Sequence, residues 1–353
     1  MARIKRILVT GGLGFIGSNY VRYLIDHDLA EEITVLDKLT YAGCCNNFEP
    51  RHRARIDLVR GDICNAKAVL AALIPNRKGM FPVEAIVHFA AESHVDRSIL
   101  DGSPFVQTNV LGTHTLLVCA TTYFTELKDS ERERFRFINV STDEVYGTLG
   151  PAGYFSESSP LLPNSPYSAA KAGADSLARA YYQTHKLPVV TTRCSNNYGP
   201  FQFPEKFIPV VILNALSDRP IPVYAKGENV RDWIHVSDHC AGIQRTLESG
   251  KIGEVYNFGG ESERRNIDLA KEILAVLKKP ESLIRFVEDR KGHDFRYAIK
   301  LGKARELGWR PQITLEEGLR KTVEWYRDNR KWWTAIQGGK YQELTDWKVR
   351  EAT

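Results

Sequence analysis

Tyr167 and Lys171 stand four residues apart in Pro166-Tyr-Ser-Ala-Ala-Lys171, at the start of a segment with helical period, so both side chains project from one face, one turn apart. An ammonium beside a phenol favours the phenolate and lowers its pKa from about 10 toward the range a general base needs. A Tyr-x-x-x-Lys pair is common by chance and alone would be surface decoration. Upstream lies Ser141-Thr142-Asp143-Glu144. Two neighbouring carboxyls in different surroundings can hold different protonation states and act as acid and base. The plainer reading of that pair is a solvated strand end.

A third pattern says what the phenol would work beside. Thr10-Gly11-Gly12-Leu13-Gly14-Phe15-Ile16-Gly17 follows a β-branched run and opens a helical one, giving Gly11, Gly14 and Gly17 a GxxGxxG spacing. Glycines there permit a tight turn and a close approach of pyrophosphate, and the helix amino terminus offers N–H groups and a positive dipole end. Asp37 ends the next apolar run, 20 residues past Gly17. A carboxylate at that place accepts hydrogen bonds from a ribose 2′-hydroxyl and repels a 2′-phosphate, which favours NAD over NADP. Lys38 beside it is expected to soften that preference, and a strand-end aspartate can also simply cap a turn. Asp62-Ile63 is expected at the adenine, and Ala90-Ala91-Glu92-Ser93 at the crevice over the cofactor.

The elements that must position these groups follow from periodicity. Short β-branched runs alternate with longer helical segments from residue 4 to about 195, the pattern of a parallel sheet with crossover helices. Strands are expected at Arg6 to Thr10, Ile33 to Asp37, Ile56 to Val59, Ala85 to His88, Phe135 to Ser141 and Val189 to Cys194. Helices are expected at residues 14 to 27, 104 to 124 and 166 to 185. Past residue 195 the pattern turns irregular and proline-rich. The fold class is therefore α/β, a Rossmann-type doubly wound parallel sheet with a smaller carboxyl-terminal mixed α/β substrate-binding lobe. Residues 1–195 form the NAD-binding domain that carries the catalytic groups, and 196–353 form mainly the second lobe, with some segments returning to the first. The tail beyond Lys331, three tryptophans among polar residues, is expected to be a surface helix or arm.

Composition excludes several classes. Hydrophobic residues make up 43% and charged ones 26% of the 353 residues, a globular rather than a disordered balance. The net charge of +5 comes from interleaved signs, so no basic stripe points to nucleic acid. No stretch approaches the roughly 18 apolar residues of a membrane span, and the amino terminus has no apolar signal region, so no membrane partner is expected and the chain is expected to be cytoplasmic. Cys44, Cys45, Cys64, Cys119, Cys194 and Cys240 show no zinc-ligand spacing, so free thiols and no metal are expected.

The combination resembles the extended short-chain dehydrogenase/reductase family over roughly residues 4 to 330. Ser141-Thr-Asp-Glu-Val-Tyr-Gly147, Tyr167-Ser-Ala-Ala-Lys171, Cys194-Ser-Asn-Asn-Tyr-Gly-Pro200, Phe203-Pro-Glu-Lys206, Ala90-Ala-Glu-Ser-His-Val-Asp-Arg-Ser98 and Arg231-Asp-Trp233 together resemble the dTDP-glucose 4,6-dehydratases. That resemblance implies a tightly bound NAD regenerated in each turnover. Tyr167 takes the proton of the sugar's 4-hydroxyl as hydride leaves C4, and Thr142 orients that hydroxyl. Glu144 removes the C5 proton, Asp143 protonates the departing 6-hydroxyl, and the hydride returns to C6. It also implies cofactor contacts at Thr40, Thr108, Val140 and Asn196 besides those above and at Tyr167 and Lys171. Substrate contacts are implied at Ser93, His94, Asn196, Glu205, Lys206, Pro222, Tyr224, Arg231, Asn266, Arg290 and His293. Among them Arg231 suits a diphosphate, because its fork can bond two oxygens at once. A homodimer through helices near residues 104 to 124 and 166 to 185 is implied as well. The chain departs from the family in Tyr41-Ala-Gly-Cys44-Cys45, where polar residues usually follow the glycine, and in the insertion-like stretch Glu126 to Glu133.

Three rivals stay open from sequence. The same chemistry on UDP-glucose differs by one methyl, worth only about 1 to 3 kcal/mol of discrimination. A nucleotide-sugar 4-epimerase would use the glycines and the Tyr/Lys pair but has no need of Asp143-Glu144. A non-catalytic nucleotide-sensing regulator would need none of the proton-transfer groups.

Overall fold

Near-continuous apolar runs become strands covered on both faces, because such a strand has no polar side to show to water. In the computed structural model, which describes residues 3–339 and 349–351, these runs are β1 (Ile4–Thr10), β2 (Ala30–Asp37), β3 (Ile56–Arg60), β4 (Ala85–His88), β5 (Arg136–Thr142) and β6 (Val189–Cys194). The later strands are β7 (Asn196–Tyr198), β8 (Ile221–Tyr224), β9 (Val230–His235), β10 (Val255–Phe258), β11 (Glu263–Arg265), β12 (Ile284–Val287) and β13 (Val349–Glu351). β1 and β2 start earlier than their side-chain pattern implies, because Ile4 pairs with Ala30 across the sheet.

The large sheet has the order β10-β6-β5-β4-β1-β2-β3-β13, with every neighbouring pair parallel. The chain winds outward one way from β1 and the other way from β4. The crevice beyond the carboxyl ends of these two strands is where a parallel sheet opens for a ligand. Glycine loop, Asp37, Ala90 and the Thr142–Glu144 segment all leave strands at that end.

Three helices matter most to the site. Phe15–Asp26 follows the glycine loop. Pro166–His185 is fixed at its start by reciprocal caps, the Ser165 side chain accepting from the Ser168 N–H and the Ser168 hydroxyl accepting from the Ser165 N–H, with Pro166 in the first turn. Tyr167 is thereby set in that first turn. The segment expected as one helix over 104 to 124 runs from Ser103 to Glu126, but its stretch Val106–Gly112 is wound as a π-helix. Glu126 to Glu133 contains a short helix, Asp129–Arg132.

The second lobe holds a three-stranded sheet, β11-β9-β7, and a pair, β12-β8, over a separate apolar core that includes Ile208, Ile212, Leu269, Ile273, Leu319 and Tyr326. β10 returns to the large sheet beside β6. The expectation of a surface tail is wrong for its described part. Trp332 and Trp333, in helix Arg330–Gln337, are 8% and 6% exposed and belong to that second core. The Trp332 indole N–H donates to Asn47 Oδ1 at 2.9 Å, so one face of this helix is buried by a partner far away in sequence. β13 pairs with β3, with Arg350 Nε 2.8 Å from Asp57 Oδ1; the expectation for 340–348 falls outside the described residues. No helix among the described residues is long and apolar enough to cross a membrane.

Candidate active site

The glycine loop is shaped by two close approaches. Gly11 has φ +68°, and a Cβ there would stand 2.6 Å from the Ala90 nitrogen; at Gly17 a Cβ would stand 2.2 Å from Gly11 O. Gly14 is crowded only by Gly11 O, at 3.4 Å, and brings no side-chain cap to the helix it opens. Asp37 accepts the Leu13 N–H at 2.9 Å and the Leu39 N–H at 2.8 Å. It therefore caps the turn and lines the cleft at once. Burial pushes its carboxyl up, and those two N–H groups oppose the shift. The Lys38 ammonium, expected to soften the preference for a 2′-hydroxyl, meets Asp62 at 2.7 Å at the edge of the cleft.

The floor behind the loop is equally fixed. His88 lies between the Thr10 hydroxyl at 2.7 Å and the Thr113 hydroxyl at 3.0 Å, and burial pushes it down to about 3, so it is neutral. Asn109, inside the π-helix, accepts the Glu92 N–H at 2.9 Å and donates to Glu92 O at 3.0 Å, which anchors the loop of residues 90–93. Every residue expected at the cofactor, from Gly11 through Asp37, Asp62, Ala90, Thr108 and Val140 to Asn196, lines one cleft.

The acid pair and the Tyr/Lys pair meet at the inner end of that cleft. Asp143 is 1% exposed, with Oδ2 buried and without a hydrogen-bond partner. Burial above all, then the nearby Glu144 and Asp232, holds its carboxyl well above the usual range. Burial also raises Glu144, but Arg290, Arg231 and Lys206 oppose this by favouring its charged form. The Thr142 hydroxyl accepts the Glu144 N–H at 3.3 Å. The two carboxyls, adjacent in sequence, thus differ in surroundings as an acid and a base require.

The expectation that Lys171 lowers the Tyr167 phenol needs correction. Burial, then Glu144 and Cys194, raises Tyr167 well above its ordinary value, and a hydrogen bond with Thr142 is what draws it back. Lys171 instead donates to Val140 O at 2.8 Å, its own pKa lowered by burial and supported by Asp175. Behind it lies a network that sequence reasoning missed. Arg193 Nε meets Asp175 at 2.9 Å and its NH1 donates to Tyr146 OH at 2.9 Å, while Asn139 donates to the other Asp175 oxygen at 2.9 Å. Asp175 sits four residues past Lys171 on the same helix face, so continuing the i, i+4 row would have found it.

The residues expected at the substrate fall into two groups. Ser93, Asn196, Glu205 and Lys206 line the cleft with the catalytic residues, and Lys206 Nζ donates to Ser93 O at 2.7 Å. His94 stands 3.7 Å from Glu205. A second group lies outside that lining. Arg231, 5% exposed, stacks 4.3 Å over Tyr297 and donates to Val230 O at 2.8 Å and Asp294 O at 3.0 Å. Arg290 and Tyr224 both reach Asp96, at 3.2 and 3.0 Å, and the Tyr224 ring packs edge-on against His293, whose Nδ1 is 2.6 Å from Asp289. Arg231 and Arg290 act electrostatically on Glu144. Pro222 is exposed on β8 and Asn266 opens helix Asn266–Leu277; neither lines the cleft. Cys194, Ser195, Asn197 and Phe203 line it without having been singled out, although they stand in motifs already marked, and Gln202 lines it from between two of those motifs.

Comparison with known proteins sets this geometry in context. The family profile described as GDP-mannose 4,6 dehydratase matches residues 8–322. The dTDP-glucose 4,6-dehydratase of Xanthomonas campestris pv. campestris is 48% identical over 346 residues, 95% of this chain and 97% of that protein. Among solved structures, a double mutant of DesIV, a dTDP-glucose 4,6-dehydratase of Streptomyces venezuelae with NAD bound, superposes with a TM-score of 0.86 at 49% identity, covering 94% of this chain and 99% of that one. A UDP-glucose 4-epimerase of Thermus thermophilus, also with NAD, is similar at 28% identity and a TM-score of 0.81, covering 92% of this chain and 99% of that one.

Proposed function

The chain belongs to the dTDP-glucose 4,6-dehydratase family, and from that premise we propose that it converts dTDP-glucose to dTDP-4-keto-6-deoxyglucose and water with an NAD that it regenerates in each turnover. The residues fit that cofactor. The glycine loop closes to within contact of Ala90 and leaves Gly14 open, and Asp37 is presented at the strand end with Lys38 paired to Asp62. Held there by the glycine loop and Asp37, NAD would supply the acceptor for the C4 hydride and the donor that returns it to C6.

The chain's own groups handle the protons. Tyr167, acting as phenolate, takes the proton of the 4-hydroxyl, which Thr142 orients, and becomes the neutral phenol that its burial favours; Lys171 stays at the Val140 carbonyl. Glu144, its charge favoured by Arg290, Arg231 and Lys206, takes the C5 proton that the new ketone has made acidic. Asp143, kept protonated by burial, gives its proton to the 6-hydroxyl, which leaves as water. Glu144 then returns its proton to C5. Net, the sugar loses its 4-hydroxyl proton and its 6-hydroxyl, so the proton gained at Tyr167 balances the one spent at Asp143.

The observation that carries this reading is the unlike pair Asp143 and Glu144, both raised by burial, the first further raised by neighbouring carboxyls and the second opposed by three cations, lining the same cleft as Tyr167. Elimination across adjacent carbons needs such a pair, and epimerisation does not. Purified protein incubated with dTDP-glucose should yield product lighter by one water in mass spectrometry. An unchanged mass with a galacto-configured product, or faster turnover of UDP-glucose, would overturn the reading.

Glu205, Lys206, Arg231, Arg290 and His293 are assigned to the diphosphate and sugar, and Tyr224 to the base. Residues 1–195 are taken as the cofactor half and 196–353 as mainly the nucleotide half, acting in the cytoplasm. The exposed Val106, Leu111 and Val118 on the helical segment after Ser103 support a homodimer with that face inside; a monomer in sedimentation at working concentration would exclude it.

A further inference from the structure

The loop after β2 ties the two sides of the cleft together. Thr40, Ala42 and Gly43 line the cleft from one side, and Phe203, Glu205 and Lys206 from the other. The Tyr41 hydroxyl crosses between them and donates to Glu205 Oε1 at 3.0 Å, and Arg97 NH2 donates to Glu205 Oε2 at 3.0 Å. The Arg97 guanidinium also lies 3.8 Å over the Tyr41 ring, whose edge meets Phe203 at 5.6 Å. The far end of the loop is pinned as firmly. The Cys44 N–H donates to Leu13 O at 3.0 Å, and Asn47 donates to Leu13 O and Ser18 Oγ, both at 3.1 Å. Cys44 packs into the second lobe's core and Cys45 into that of the large sheet.

We propose that Tyr41 and Arg97, closing on Glu205, form a clasp that retains the nicotinamide cofactor in the cleft throughout the reaction, so that the hydride taken from a sugar goes back to the same sugar. The inference rests on the reading that the hydride is borrowed and returned. In such a cycle, escape of the reduced cofactor strands a 4-keto sugar that still carries its 6-hydroxyl. The clasp spans the loop beside Asp37 and the loop that holds Glu205, and opening it frees the one from the other. Tyr41 and Arg97 touch neither C4 nor C6 in this scheme; they position the loops.

The test is made on purified holoenzyme with Tyr41→Phe, which removes the hydroxyl alone, and Arg97→Met, which leaves the half-exposed site without its charge. Two quantities are read: the rate at which bound NAD exchanges for a fluorescent analogue, and the fraction of oxidised sugar released as dTDP-4-keto-glucose together with NADH. Each variant should release NAD about tenfold faster or more, the factor that loss of one charged hydrogen bond gives. Each should leak the 4-keto sugar, and added NAD should restore its turnover. Wild-type exchange rates in both variants with no leaked sugar would overturn the clasp. Failure of the wild-type protein to dehydrate dTDP-glucose would count against the reaction instead, and the exchange rates would still judge the clasp.

Discussion

Replacing Asp143 with asparagine separates what this group does chemically from what it costs electrostatically. The side chain keeps its shape and its sealed place beside Thr142, but it has no proton to hand to a leaving hydroxyl. Loss of a positioned general acid lowers a rate by about 10²- to 10⁴-fold, or about 2.7 to 5.4 kcal/mol of barrier. Stability should move the other way. Burial, Glu144 and Asp232 raise this carboxyl in the fold, so the folded protein keeps a proton that the unfolded chain sheds above about pH 3.9. From there up to the folded pKa the unfolded state binds fewer protons, and stability falls with rising pH by about 1.4 kcal/mol per pH unit. Asparagine does not ionise and escapes that loss. The two proteins should thus differ little in denaturant midpoint near pH 4, and Asp143→Asn should gain on the wild type toward neutrality. Rapid mixing with dTDP-glucose should show NADH absorbance rising at the normal rate and then persisting, while mass spectrometry shows water loss slowed by two to four decades, on the order given above. Unslowed dehydration, or a stability gap that fails to widen between about pH 4 and pH 7, would refute the assignment of a buried, protonated acid.

Glu144→Gln should leave sugar oxidation intact and slow dehydration by about 10²- to 10⁴-fold; NADH accumulation without 6-deoxy product checks this, and unimpaired dehydration removes Glu144 from its role. Gly17→Ala should abolish NAD binding and lower the melting temperature, because its Cβ would enter within 2.2 Å of Gly11 O; calorimetric titration that finds normal affinity would contradict this. Trp332→Ala should cost about 3 to 5 kcal/mol of stability, since the indole is buried and bonded to Asn47. A midpoint shift below about 1 kcal/mol in a denaturant titration would mean that the tail helix contributes little.

Much of this site is written in local pattern. Short β-branched, mainly apolar runs give away β1 to β6, and the Ser165-Pro166 cap gives away the helix that carries Tyr167. The glycine spacing with Asp37 and the Asp143-Glu144 pair are chemistry in single short segments. What pattern hides is whatever depends on a partner far along the chain. Trp332 reads as an exposed residue among polar neighbours and becomes core only when Asn47 and Phe201 stand against it. Lys171 was assigned to Tyr167 by spacing, but the carbonyl of Val140 and the charge of Asp175 decide where its ammonium goes. Tyr41 gave no signal, since its partner Glu205 is 164 residues away. The π-helical turns over Val106–Gly112 were equally silent, because they answer to Asn109's bonds with the 90–93 loop and not to helical propensity.

The path of β10 bears on how such enzymes could be recombined. The chain leaves the large sheet at Cys194, builds β7, β8 and β9 elsewhere, then lays Val255–Phe258 along Thr191–Cys194. Phe258 and helix Val236–Ser249 complete the core beside Val190 and Trp309. A chimera spliced once at residue 195 would therefore exchange β10 as well, and a donor strand that matched β6 poorly would expose an aggregation-prone edge. Grafting a new specificity onto this scaffold takes at least two junctions, with residues 236–258 kept beside the strands they close.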